Sequence, residues 1–555
     1  MEAEAIRRRI LETVAANGGH LASSLGAVEI AMALAEVFRP ETDRIVWDVG
    51  HQAYAWKLLT GRDGSFGTLR RLDGVAPFPT PLESRADAAV AGHAGAALSA
   101  ALGLAAARDR RGTGEHVVAV IGDSSLVNGM SFEALNNCAA ATSKVIVVLN
   151  DNGMSISKPT GSFSKMLGRM ISGVRYNRGK AAIEKAGHAM KLTFLRDFYH
   201  RLESRIKGLF LGNRYFEQFA LRYIGPVDGH DLAALRAAFT VAKEDKRSVL
   251  VHVVTRKGRG FEPAERDPTA WHGVGPFDLR GSESVVSSHA GWSEVFGKAI
   301  CALARKDERI VALTAAMKDG TGLVGFASEF PDRFYDVGIA EEHMVGFAAG
   351  LAAGGMRPVV AIYSTFLQRA VDQVMHDVAI ANLPVVFCVD RAGAVGSDGM
   401  THQGLYDIAM LRCLPNLTIC QPKDADDLKA LLEEALRRNG PTVIRYPRGS
   451  GSYFEKAQAV AARIPGAEAR PLRYLKPFDA AALAADRAAG RKIATIENGS
   501  LAGGIGEAIG ADFRFGWPDG FLPHGSVAEL ERRYGLDVDS IVAKLGNTKS
   551  LVIYG

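Results

Sequence analysis

The feature that most constrains how this chain folds is a repeated alternation. Short apolar runs ending in a polar residue are separated by Ala- and Leu-rich stretches of helical spacing. EHVVAVIGD (115–123), SKVIVVLND (143–151) and SVLVHVVTR (248–256) form a first series. RIVALTAAM (309–317), RFYDVGIAEEH (333–343), RPVVAIYS (357–364), LPVVFCVD (383–390) and PTVIRYP (441–447) form a second. Continuous apolar runs of this length are what strands buried on both faces look like. Alternation with helices, such as the one expected from Met130 to Ala141, implies an α/β fold of parallel sheets covered on both faces. Ligands in such sheets sit beyond the carboxyl ends of strands. There the sequence puts Asp123, Asn152, Glu341, Ser364 and Arg391.

At about 150 residues per domain, 555 residues suggest three or four domains. The polar segment 278–290 (DLRGSESVVSSHA) reads as a linker between a first domain, 1–277, and a second, 291–452. A break after Arg448 to Ser452 leaves 465–555 as a small third α/β unit, with KIATIENG (492–499) its clearest strand. The Lys- and Arg-rich stretch 158–213 reads as a surface helical insertion, with a cover over a site as the alternative. With 47% hydrophobic and 23% charged residues the chain is not a disordered one. A net charge of +5 without a long basic run gives no support for nucleic-acid binding. No run approaches the roughly 20 apolar residues that span a bilayer, and MEAEAIRRRILETV lacks the apolar core of a secretory signal. The five cysteines have no metal-ligand spacing and read as reduced thiols. A soluble, cytoplasmic protein is expected.

The first chemically informative pair is Ile-Gly-Asp-Ser (121–124) and Asn-Asp-Asn (150–152), each closing an expected strand. Oxygen ligands from Asp123 and Asn152 at neighbouring strand ends suit a hard cation such as Mg²⁺ that keeps phosphate oxygens as further ligands. Gly122 lets backbone approach those phosphates.

With these halves in place the chain resembles thiamine-diphosphate enzymes of the transketolase type. The resemblance sharpens to the 1-deoxy-D-xylulose-5-phosphate synthase family on longer strings. They are GGHLASSLGAVE (18–29), WDVGHQAY (47–54), RYIGPVDGHD (222–231), KGRGFEPAERDP (257–268), DVGIAEEH (336–343), IYSTFLQRA (362–370), DRAGAVGSDGMTHQG (390–404) and RYPRG (445–449). The resemblance implies two parallel-sheet domains enclosing thiamine diphosphate, plus a reduced C-terminal domain, in a homodimer. It implies decarboxylation of pyruvate and condensation with glyceraldehyde 3-phosphate to a pentulose phosphate that feeds isoprenoid, thiamine and pyridoxal synthesis. By motif, Glu341 would hydrogen-bond the cofactor's aminopyrimidine. His20 and His402 would move protons, and Asp398 and Arg70 would hold the pyruvate adduct. His51, Gly92, His93, Ala94, Asp123, Ser124, Ser125, Asn152 and Phe261 would contact the cofactor. Asp123, Asn152 and the Met154 carbonyl would hold Mg²⁺. Tyr363, Arg369, Arg391 and Arg448 would bind substrate, since guanidinium forks match phosphate oxygens. The remaining histidines read as structural or exposed.

The chain departs from the family's pattern at four places. Ser124 stands where Gly-Asp-Gly has glycine; its Cβ either crowds the diphosphate or strains a positive φ, or its hydroxyl donates to phosphate. Gly-His-Ala-Gly (92–95) replaces Gly-His-Ser-Ser, so Ser124 and Ser125 are expected to supply the lost donors. Gly153 replaces a common Glu. The chain starts close to the GGHLASS string, and a strand–helix portion is expected to be missing between about Leu472 and Lys492. These departures motivate two alternatives: a paralogue with another acceptor aldehyde, and a catalytically impaired scaffold.

Overall fold

The computed structural model describes residues 1–153, 215–279, 291–546 and 548–555. Met154, the expected insertion 158–213 and most of the expected linker 278–290 lie outside them. Met1–Leu69 with Phe78–Val285 form one compact unit, and Arg70–Pro77 with Val286–Gly555 form the other.

Among the described residues the first unit holds a five-stranded parallel sheet. Its strands are β1 (Arg44–Trp47), β2 (Val117–Gly122), β3 (Ile146–Asp151), β4 (Arg222–Asp228) and β5 (Val249–Val254). Their order is β1-β2-β3-β5-β4. Val117, Ala119 and Ile121 of β2 and Val147 and Leu149 of β3 pack on Leu98, Ala101 and Ala105 of helix Ala97–Arg111 and on Ala134, Leu135 and Cys138 of helix Gly129–Ala141. Each buried aliphatic contributes roughly 1.5–3 kcal/mol. The core therefore fixes the sheet, and the strand ends are left to carry polar groups.

The second unit holds two sheets. One contains β6 (Ile310–Thr314), β7 (Phe334–Asp336), β8 (Arg357–Tyr363), β9 (Val386–Asp390), β10 (Thr418–Cys420) and β11 (Thr442–Arg445). The other contains β12 (Ala467–Arg470), β14 (Lys492–Ser500), β15 (Phe513–Trp517) and β16 (Leu551–Tyr554), all parallel, in the order β12-β16-β14-β15. Between them in sequence, β13 (Tyr474–Lys476) returns to the first of these sheets as its antiparallel edge, giving β13-β10-β11-β9-β8-β6-β7. Leu472, Leu475, Ile493 and Val552 share one core with Leu313, Val360 and Phe387, so the C-terminal sheet is fused to its neighbour by packing.

One expectation is corrected. RFYDVGIAEEH is a strand only over Phe334–Asp336; the polar backbone of Val337–Ala340 turns, and Glu341 opens helix Glu341–Ala353 rather than ending a strand. Between Leu472 and Lys492 the chain holds β13 and the Ala-rich helix Ala480–Ala488. Four cysteines are buried, Cys413 is exposed, and all five are free thiols. No described helix is long and apolar enough to cross a membrane.

Candidate active site

In the first unit the register of β2 on β3 pairs Gly122 with Asn150, which sets Asp123 level with Asp151. Asp123 is 7% exposed and opens the short helical turn Asp123–Leu126. Burial, then the neighbouring Asp151 carboxylate, raises its pKa to about 7. Lys257 opposes that rise, and its own ammonium is lowered to about 8 by burial. Two carboxylates and a lysine thus share one desolvated strand end, an arrangement a divalent cation with a polyanion would relieve. Asp151 Oδ1 accepts the Gly153 N–H at 3.0 Å, closing a turn around the half-buried Asn152. Gly153 has φ +64°, so glycine in place of a common Glu matches the backbone there.

Ser124 lies in right-handed backbone, so the strained positive φ expected of it does not arise; its Oγ is buried and makes no hydrogen bond. Ser125 is buried and its carbonyl accepts from Ser131 Oγ at 2.7 Å. The loop carrying Gly92, half-buried His93 and buried Ala94 is tied by Asp48, which accepts from the N–H groups of Gly95 (3.0 Å) and Ala97 (3.1 Å). Gly95 has φ +85°, and a Cβ on it would stand 2.2 Å from Asn128 Oδ1. Asn128 occupies the space a serine at 95 would need.

His20 and His51 lie in the same unit with ring centroids 6.2 Å apart. His272, read from sequence as structural, completes a cluster at 5.7 Å from His20 and 5.4 Å from His51. Burial first, then nearby His and Lys257 charges, push His51 and His272 well below the usual imidazole range, so both are neutral at pH 7. Phe261 packs edge-on against Trp271, the neighbour of His272, with ring centroids 5.1 Å apart.

In the second unit Glu341 is 3% exposed at the start of its helix. Burial raises its carboxyl to about 7 despite Arg369 Nη1 at 3.7 Å, and its Oε2 has no hydrogen-bond partner. A second group gathers around Asp398, which pairs with Arg70 at 2.7 Å and Arg448 at 3.2 Å. Arg391 stacks 3.7 Å over the Tyr363 ring and donates to the Gly320 carbonyl at 3.0 Å. A Cβ on Gly320 would collide with the Tyr363 hydroxyl at 1.7 Å, so only glycine leaves room for that stack. His402 sits edge-on to Phe366 at 5.7 Å; burial, aided by Arg70, Arg448 and Arg391 and opposed by Asp398, lowers its pKa. Arg70 and Arg391 both have positive φ (+67° and +58°), strain of order 1–3 kcal/mol each that collects at binding sites.

A family model described as 1-deoxy-D-xylulose-5-phosphate synthase matches residues 1–255, and one described as transketolase, pyrimidine binding domain, matches 288–452. The 1-deoxy-D-xylulose-5-phosphate synthase 1 of Geobacter metallireducens is 44% identical over 97% of this chain and 95% of its own length. The 1-deoxy-D-xylulose-5-phosphate synthase 2 of Geobacter sulfurreducens is 44% identical over 98% and 95%. The chain belongs to the 1-deoxy-D-xylulose-5-phosphate synthase family. Among solved structures, a Campylobacter jejuni transketolase matches at 16% identity over 98% of each chain with a TM-score of 0.38.

As a chain of the 1-deoxy-D-xylulose-5-phosphate synthase family, its candidate residues divide by unit. His20, His51, Gly92, His93, Ala94, Asp123, Ser124, Ser125, Asn152 and Phe261 belong to the first; Glu341, Tyr363, Arg369, Arg391, Asp398, His402, Arg448 and Arg70 belong to the second. Lys257, His272, Gly320 and Asp151 escaped the sequence reading. Lys257 opens the string KGRGFEPAERDP and His272 lies just beyond it, yet a lone Lys or His carries no signal until the fold sets it beside other charges. The residues fit the cofactor that the resemblance implies. A buried Ser124 hydroxyl and a raised carboxyl at Glu341 with one open oxygen are both polar groups awaiting partners.

Proposed function

We propose that this chain is a thiamine-diphosphate- and Mg²⁺-dependent 1-deoxy-D-xylulose-5-phosphate synthase, joining pyruvate to D-glyceraldehyde 3-phosphate with loss of CO₂. The observation that carries the reading is the Glu341 carboxyl. It holds its proton up to about pH 7 and keeps one oxygen open, in a chain 44% identical to a named synthase over 97% of its length. Such a group suits a buried ring nitrogen whose protonation must switch near neutral pH.

Bound thiamine diphosphate would supply a carbon nucleophile and a sink for the electron pair that CO₂ leaves behind. Asp123, Asn152 and the backbone after Gly153 would hold Mg²⁺, with Ser124 and Lys257 serving the diphosphate. Among the described residues no group of three His, Cys, Asp or Glu is placed to hold a metal. Two side-chain oxygens plus phosphate oxygens need no such group. His20, His51, His272 and His402 would move protons, and Phe261 would stiffen the wall behind them. Arg70 and Asp398 would orient the pyruvate-derived group. Tyr363, Arg391 and Arg448 would clamp the aldehyde's phosphate, and Arg369 would steady Glu341. The reading carries with it the homodimer that the resemblance implies, and a place in the cytoplasm.

The test is purified protein with pyruvate, glyceraldehyde 3-phosphate, thiamine diphosphate and Mg²⁺, followed for CO₂ and pentulose phosphate together. Both are expected. CO₂ without the pentulose phosphate would point to another acceptor, and neither at saturating cofactor would overturn the reading.

A further inference from the structure

A hydrogen-bonded line crosses three adjacent strands of the first unit and ends at the turn that carries Asn152. Tyr223 Oη on β4 lies 2.8 Å from His252 Nδ1 on β5. His252 Nε2 lies 3.0 Å from Asp151 Oδ2 on β3. His252 is 0% and Asp151 1% exposed, so the bond between them is shielded from water, while Tyr223 is half-buried. Their direction follows from chemistry. A carboxylate offers only acceptors, so Nε2 carries the hydrogen; when the ring is neutral, Nδ1 is bare and accepts from the Tyr223 hydroxyl. Asp151 is held by both oxygens, Oδ2 by His252 and Oδ1 by the Gly153 N–H, and its carbonyl accepts from the Thr255 N–H at 2.9 Å.

The line matters because Asp151 is the neighbour whose carboxylate presses on Asp123. Without the His252 N–H, the Asp151 carboxylate keeps only the Gly153 N–H to hold it in the turn that sets Asn152. We infer that His252, held in one tautomer by Tyr223, is a positioning residue for the metal–diphosphate end, acting through Asp151. This inference rests on the reading that Asp123 and Asn152 hold the divalent cation. Groups that orient metal ligands from behind typically alter affinity 10–100-fold when removed.

The test uses the full-length chain, with Mn²⁺ as probe and its free signal followed by electron paramagnetic resonance in the presence of thiamine diphosphate. His252→Leu is expected to raise the apparent Mn²⁺ dissociation constant about 10–100-fold. His252→Gln, whose amide can reach Asp151 as Nε2 does, should restore it to within about threefold of the parent, a rescue that mere cavity filling would not give. Should His252→Leu fail to fold, Tyr223→Phe takes its place, with an expected rise of about three- to tenfold from loss of the tautomer constraint. Leu and Gln variants weakened equally, or Leu and Phe variants indistinguishable from the parent, would overturn the inference. A parent chain that takes up no thiamine diphosphate at all would instead fell the proposed function, and this inference with it.

Discussion

Glu341 combines near-complete burial with a carboxyl raised from 4.5 to about 7, and that shift has a sign that can be measured. Between those values the folded chain binds more protons than the unfolded one, so this group's contribution to stability falls as pH rises from about 4.5 through 7. The shift corresponds to roughly 3 kcal/mol. Glu341→Gln removes the titration, so its melting temperature relative to the parent should rise between pH 5 and pH 8, while turnover falls at least about 100-fold. Parallel pH–stability curves for the two proteins would refute the assignment of that proton. Ser124 makes a second claim at this scale. Loss of a hydrogen bond to a charged group costs about 1.5–3 kcal/mol, so Ser124→Gly and Ser124→Ala should each weaken thiamine-diphosphate binding by about tenfold or more in calorimetry. Unchanged affinity in both would leave the buried hydroxyl without a role. Residues in long family strings, such as Glu341 and Asp398, were legible before any fold was known. The roles of His272 and Asp151 were not, because the partners His20 and His252 that define them lie more than a hundred positions away.

The loop of Gly92–Ala96 and the turn leading into helix Gly129–Ala141 are coupled by one side chain. Gly95 at φ +85° and Asn128 at 2.2 Å from its absent Cβ cannot both be enlarged. Gly95→Ser should therefore lower the melting temperature by several degrees, combining a left-handed backbone with a buried clash. Asn128→Gly should recover part of that loss in the double variant, since contacting positions are not additive. Additive losses would mean the two segments do not compete for one space. The apolar runs of β2, β3, β5, β8 and β9 were readable because strands buried on both faces leave an unbroken signature. The three- and four-residue strands β1, β10, β13 and β16 were not. Their pairing is set by neighbours far along the chain rather than by a pattern of their own, and β13 even joins a different sheet from β12.

At the scale of the whole molecule, eight residues from the N-terminal half, Arg70–Pro77, belong to the unit otherwise built from Val286 onward. Arg70 pairs with Asp398, Asp73 with Arg533, and the Gly74 carbonyl accepts from His524 at 3.0 Å. An isolated 286–555 fragment should therefore melt lower than the same region in the intact chain. Fusing residues 70–77 to it through a flexible Gly/Ser tether should recover part of the difference, seen by calorimetry. Equal melting with and without the tethered octapeptide would show that it adds nothing. A boundary near residue 285 is easily drawn from the sequence; this loan across it leaves no compositional trace. Its consequence is genealogical. Units that share a segment in this way are not interchangeable cassettes, because recombination at the apparent seam would join residues 70–77 of one parent to the 286–555 region of another.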